Sequence, residues 1–139
     1  MFMSDISIIV RYMRTQSERA LSDSGIGFPE QLVLMTLLAN GALNQEAIAS
    51  RLDLDKGAIA KTIAKLESKG LVTRQPNPED KRQKIVEATP QADSIAQAME
   101  RTLDSLNKSI FAGLAPDEVN QVCALLAHMA KNAQSNEEG

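Results

Sequence analysis

Residues 48–59 read Ile-Ala-Ser-Arg-Leu-Asp-Leu-Asp-Lys-Gly-Ala-Ile, and no other stretch constrains the fold as much. Ile48 is followed by the small Ala49, which lets two helices cross closely. Leu52 and Leu54 bracket a tight turn, and Ile59 closes the core from the second helix. Asp53 stands where glycine is common, and aspartate tolerates the left-handed conformation nearly as well. Asn44 is placed to cap the first helix, and Asp55 caps a second that runs to Lys69. Gly70 then suits a helix C-terminus that needs positive φ. This is the skeleton of a helix-turn-helix. Tight helix pairs with other roles share it, so its use must be read from the surface residues.

The flanking sequence is helical. Ile6, Ile9, Val10, Met13, Ala20 and Leu21 fall near helical spacing, which predicts a helix over 4–23 with Ser4 as cap. Pro29 suits the first turn of a second helix that ends at Asn40-Gly41. After the helix pair, Leu71–Arg74 and Lys84–Ala88 predict two strands joined by a turn over 75–82. Thr89-Pro90 marks a helix start, a capping hydroxyl before proline, and that helix continues to Ala112. Pro116-Asp117-Glu118 opens the last helix, whose polar end frays from about Gln134. The expected fold is mainly α with a small β-hairpin, a winged helix-turn-helix flanked by terminal helices in one domain over 1–139. With only Tyr12, Phe2, Phe28 and Phe111 as aromatics, its core must be mostly aliphatic.

Charge is unevenly spread. The formal net charge is −3, yet residues 44–86 hold nine Lys/Arg against six Asp/Glu. A local field matters more to an anionic partner than the total does. Within the second helix of the pair, Ile59, Ile63 and Leu66 share one face. The opposite face carries Gly57, Lys61, Ala64 and Ser68, with Ala60 on its flank. Small residues there let a helix axis approach a surface closely, as a helix in a DNA major groove must. Lys61, Lys65 and Lys69 repeat at four-residue spacing, where like charges repel. The pattern suits a recognition helix, with Lys61 in the groove and Lys65 on phosphate. The hairpin tip Asn77-Pro78-Glu79-Asp80-Lys81-Arg82 would project beside it as a cationic wing, completed by Lys84. Arginine is favoured in narrow minor grooves, and Asp80 is placed to orient Arg82 through a charge-assisted bond.

From Asn44 to Ala92 the sequence resembles the MarR family of bacterial transcription regulators, in "KLESKGLVTR", in the wing "NPEDKRQKIVEATPQA" and in its Asp80-x-Arg82 pair. The flanking helices match as well, with "GLAPDEV" opening the last. The resemblance implies a homodimer built by the first, fifth and sixth helices (4–23 and 90–134), with a DNA-binding lobe over 29–89 and its wing at 71–89. It implies a pseudo-palindromic double-stranded DNA operator, and a repressor released by a small effector as the form of regulation. The residues expected on DNA are Lys56, Gly57, Ala60, Lys61, Lys65, Asp80, Lys81, Arg82 and Lys84. Thr62, Ala115 and Asn77 depart from the family pattern, at positions where an apolar residue, a Ser/Thr cap and an Asp are usual.

Other candidates are weaker. Tyr12 either lines an effector pocket or packs within the first helix. Cys123, the single cysteine, lies among Val122, Leu125 and Leu126 and is expected to be a buried small hydrophobe. One unpaired thiol and the absence of a signal-peptide pattern fit a cytoplasmic protein. No window reaches the ~18 apolar residues of a membrane span. His128 and Cys123 do not assemble a metal site, and no cofactor is expected. An enzyme would need converging catalytic groups. Asp117-Glu118 and Glu137-Glu138 are better explained by a helix N-terminus and a solvated tail. The remaining rival is a winged-helix module that binds protein without DNA.

Overall fold

A computed structural model describes residues 1–137 of the chain. Two compact units divide between Asp104 and Ser105. The first begins with helix α1 (Phe2–Ala20) and a 3-10 turn (Ser22–Ser24), then α2 (Phe28–Asn40). A two-residue strand β1 (Leu43–Asn44) precedes the helix pair α3 (Gln45–Leu52) and α4 (Lys56–Ser68). Strands β2 (Val72–Pro76) and β3 (Lys84–Ala88) form the hairpin, and α5 (Asp93–Ile110) follows. The last helix, α6 (Pro116–Glu137), lies in the second unit. The expected mostly helical winged fold is present.

Local chemistry sets most boundaries. The Asn44 side chain accepts the Ala47 N–H at 2.6 Å and that of Asp55 accepts the Ala58 N–H at 3.1 Å, so both expected caps form. Asp53 takes φ +52° in the turn between them, the only non-glycine residue with positive φ among those described. Gly70 takes φ +74° after α4.

Several boundaries differ from expectation. The first helix starts at Phe2, with Met1 as its cap residue and no side-chain cap, so Ser4 lies inside it. It ends at Ala20 because the Ser22 hydroxyl donates to the Arg19 carbonyl (3.1 Å) and turns the chain into the 3-10 segment. Thr89 does not cap the next helix. Its hydroxyl donates to the Gly70 carbonyl at 2.6 Å, and Pro90 opens a 3-10 turn that leads into α5. That helix stops at Ile110, and Gly113 takes φ +85° beyond it. Ala115 carries no capping hydroxyl, but its N–H donates to Glu118 Oε1 at 2.8 Å, the reciprocal half of a capping box. Helix α6 continues to Glu137 instead of fraying at Gln134, and Glu138 lies outside the described residues.

Strand β3 is central in an antiparallel sheet of order β1-β3-β2. Arg74 pairs with Val86 on one side and Leu43 with Val86 on the other. The strand β1 was too short to be visible as a pattern, yet it fastens the start of α3 to the wing. Beneath the sheet, Leu34, Ile48, Ile59, Ile63, Leu66, Val72 and Val86 are fully buried, so α2, α3, α4 and the hairpin share one core. Burying each such side chain contributes about 1.5–3 kcal/mol.

Ile63→Ala is expected to lower stability by about 2–5 kcal/mol, read from the urea midpoint. Lys61→Ala, on the exposed face of the same helix, is expected to stay within about 0.5 kcal/mol of the parent.

Candidate nucleic-acid interface

The site is a consequence of how α4 is held. Its inward stripe of Ile59, Ile63 and Leu66 is at most 1% exposed. This turns Gly57, Lys61, Ala64 and Ser68 to solvent, with Ala60 half-buried on the flank. Thr62, where an apolar residue is usual, is half-buried and its hydroxyl donates to the Ala58 carbonyl at 2.9 Å. Gly57 sits close to the cap: a Cβ there would stand 3.0 Å from Asp55 Oδ2. A larger residue would crowd both the cap and the exposed face.

The cations divide into two sets. Lys56 lies 3.6 Å from Glu46 Oε1 in an exposed pair, which contributes little. Lys65, expected on phosphate, instead places its ammonium 2.7 Å from Glu30 Oε1, on a carboxylate only 6% exposed. Lys69 leans away as well, its Nζ 2.9 Å from where a Cβ on Gly25 would be. Arg74 of β2 bonds Glu67 Oε1 at 3.0 Å and ties the wing to the end of α4. That hydrogen bond, reinforced by the positive charges of Arg74 and Lys84, holds the Glu67 carboxyl below its ordinary pKa. By contrast, Lys61, Lys81, Arg82 and Lys84 are exposed and have no ion-pair partner among the described residues.

The wing tip is shaped by short polar side chains. The Asn77 side-chain oxygen Oδ1 accepts the Glu79 N–H at 3.0 Å while its side-chain Nδ2 donates to Gln83 Oε1 at 3.2 Å. An ionised aspartate could not make the second bond, which gives the departure at this position a structural role. Asp80 does not form the charge-assisted bond to the Arg82 guanidinium that the sequence led us to expect. Its Oδ1 accepts the Arg82 backbone N–H at 3.1 Å. Asp80 therefore fixes the loop from which Arg82 projects. The result brings Lys56 together with Arg82 and Lys84 around a cleft of about 160 Å³, walled also by Asn44, Gln45, Glu46 and Gln83.

Tyr12 lies on α1, 39% exposed. An apolar cavity of about 500 Å³ lies between α2 and α5, lined by Met35, Leu38, Ala39, Ala96, Met99, Glu100 and Leu103, and Tyr12 is not among its walls. Cys123 is exposed rather than buried, because the apolar stripe of α6 has no buried residue. Sequence reasoning missed Glu30. It falls on the same helical face as Val33, Leu34 and Leu37, and an acid in that stripe was the available signal.

Capped helix pair, left-handed turn and antiparallel wing define a winged helix-turn-helix protein. Residues 29–84 match the family model described as "MarR family", so this stretch of the chain is a MarR-family domain. The fold extends over nearly the whole chain in solved relatives. A MarR transcriptional regulator from Methanosarcina mazei Go1 is 25% identical, with 96% of each chain covered and a TM-score of 0.87. Wild-type apo MarR from E. coli is 26% identical over 89% of this chain and 92% of its own, with a TM-score of 0.72. Bordetella bronchiseptica BpsR, whose DNA binding is regulated by 6-hydroxynicotinic acid, shares the fold at 21% identity and a TM-score of 0.81, with 94% and 93% of the chains covered.

The Glu67–Arg74 tie carries a pH dependence. A lowered folded-state pKa means its stabilisation is complete above the ordinary glutamate value, about 4.3, and is lost as pH falls through the lower folded value. Glu67→Gln is expected to be less stable than the parent near neutrality and to converge with it as pH falls through that lowered folded value. Urea unfolding across pH 3–7 checks this, and a gap independent of pH would contradict it.

Proposed function

We propose that the chain is a DNA-binding transcription regulator that reads a pseudo-palindromic operator as a homodimer. The observation that carries this reading is the set of unspent cations on a winged helix-turn-helix: Lys61 on the small-residue face of α4, and Lys81, Arg82 and Lys84 on the wing. Residues paired inside the protein are poor phosphate ligands, and these four are unpaired among the described residues. In this reading α4 enters the major groove with Gly57, Ala60 and Ala64 permitting close approach. Lys61 reaches base edges or the phosphates at their margin. Arg82 lies along the adjacent minor groove, set by Asp80, while Lys81 and Lys84 meet flanking phosphates. Lys56 joins them from the start of α4.

Dimerisation is supported by apolar surface that the single chain leaves open. On α1, Phe2, Met3, Ile8 and Val10 are each more than half exposed. On α6, Leu125 is 62% and Leu126 49% exposed. Surfaces of this kind mark interaction sites on soluble proteins. The dimerisation helices would be those of 4–23 and 90–134, and the DNA-binding lobe 29–89. A small effector would release the operator, as 6-hydroxynicotinic acid regulates DNA binding by BpsR. The cavity between α2 and α5 suits an effector better than the surface around Tyr12 does, because it is concave and mostly apolar.

Arg82→Ala should lower operator affinity by about 1–3 kcal/mol per contacted site, most for operators with A·T-rich flanks, whose narrow grooves hold the strongest potential. Lys61→Ala should weaken specific binding more than non-specific binding. Mobility shifts at physiological salt, with circular dichroism to verify the fold, measure both. Parental affinity in folded Arg82→Ala would reduce the wing to a solvated turn.

A further inference from the structure

Three residues of polar type are buried among those described: Ser17, Glu30 and Gln31. They are not scattered. Gln31 donates from Nε2 to the Ser17 carbonyl at 2.8 Å, a buried bond from α2 to α1. The preceding residue, Glu30, receives the Lys65 ammonium at 2.7 Å, a bond from α2 to α4. The first turn of α2 is thus fastened to α1 on one side and to the proposed recognition helix on the other. A second contact supports the same turn, since the Arg14 guanidinium of α1 stands 5.7 Å from the centroid of the Phe28 ring. Gly27 leaves the space that the carboxylate occupies, because a Cβ there would stand 2.9 Å from Glu30 Oε2.

We infer that Glu30 is a positioning residue for DNA recognition, and that Lys65 is its internal counter-ion and not a phosphate ligand. The reasoning is one of competing costs. Lys65 is 53% exposed along its side chain and would be free to swing to a phosphate were Glu30 solvated. Glu30 is 6% exposed, so departure of the ammonium leaves a carboxylate without water or counter-charge. Breaking one side of such a pair is far more costly than losing a surface salt bridge. The pair therefore persists in the complex and fixes α4 against α2, while Lys61 on the outward face remains free to read DNA. Gln31 holds the carboxylate-bearing turn in place from the α1 side.

This inference rests on the DNA-binding reading above for its role, but the pair itself can be tested without DNA. The full-length chain is compared with Lys65→Met, Glu30→Gln and the double variant by urea unfolding. Lys65→Met should lower the midpoint, and adding Glu30→Gln should recover part of the loss, giving non-additivity in the cycle. Additive effects would overturn the pairing. The second arm measures log affinity for duplex DNA against log salt. Lys65→Met should keep the parental slope, while Glu30→Gln, which releases the ammonium, should steepen it by about one unit per subunit. Glu30→Gln should also lower the ratio of specific to non-specific affinity several-fold, because α4 is less firmly set. A slope flattened by about one unit per subunit in Lys65→Met would overturn the assignment, since Lys65 would then be displacing counterions itself. Failure of the parent chain to bind any duplex would count against the proposed function and leave the unfolding cycle to decide the pair.

Discussion

Burial of Ile59, Ile63 and Leu66 decides the orientation of everything outside them. Once that stripe is packed against α2, α3 and the sheet, α4 cannot rotate without exposing fully buried side chains. Its outward face is then fixed as Gly57, Lys61, Ala64 and Ser68. The wing follows because Leu71 and Val72 enter the same core directly after Gly70, so the hairpin begins where the helix ends. Thr89 closes the arrangement from the far end of the hairpin through its two bonds to the Gly70 and Leu71 carbonyls. Packing thus sets the geometry, and charged groups act on a frame already determined.

Within that frame, positive charge has two uses. Lys65 and Arg74 are spent on Glu30 and Glu67, joining α4 to α2 and to the wing. Lys61, Lys81, Arg82 and Lys84 remain available. The distinction matters because a count of Lys and Arg over residues 44–86 treats them alike. For Lys65 and Lys56 it is the burial of the partner carboxylate that separates a strut from a ligand. Glu30 is almost fully enclosed, whereas Glu46 beside Lys56 is 66% exposed and holds its partner weakly. Lys56 therefore stays with the available group for the purposes of an anionic surface.

Much of this was legible in the sequence. The caps at Asn44 and Asp55, the left-handed Asp53 and the inward stripe of α4 all follow from local rules, and each is present. Features that depended on distant residues were not legible. No periodicity signals β1, whose two residues exist as a strand only because β3 lies beside them. Thr89 carries the pattern of a helix cap, yet a carbonyl nineteen residues earlier competes for its hydroxyl. The Lys61-Lys65-Lys69 repeat looks like one stripe of surface charge, and its division depends on Glu30 and Gly25, which are remote in sequence. Cys123 was misjudged for a related reason. Apolar neighbours predict burial only if something in the chain covers them, and none of α6 is buried.

The central claim is that two α4 helices of a dimer present their outward faces to successive major grooves on one side of a duplex. Hydroxyl-radical footprinting on an operator selected from genomic DNA tests it most directly. The account predicts two protected segments related by two-fold symmetry, their centres roughly 34–36 Å apart, with weaker protection outside them where the wings lie. A single protected segment, or two without two-fold symmetry, would contradict it.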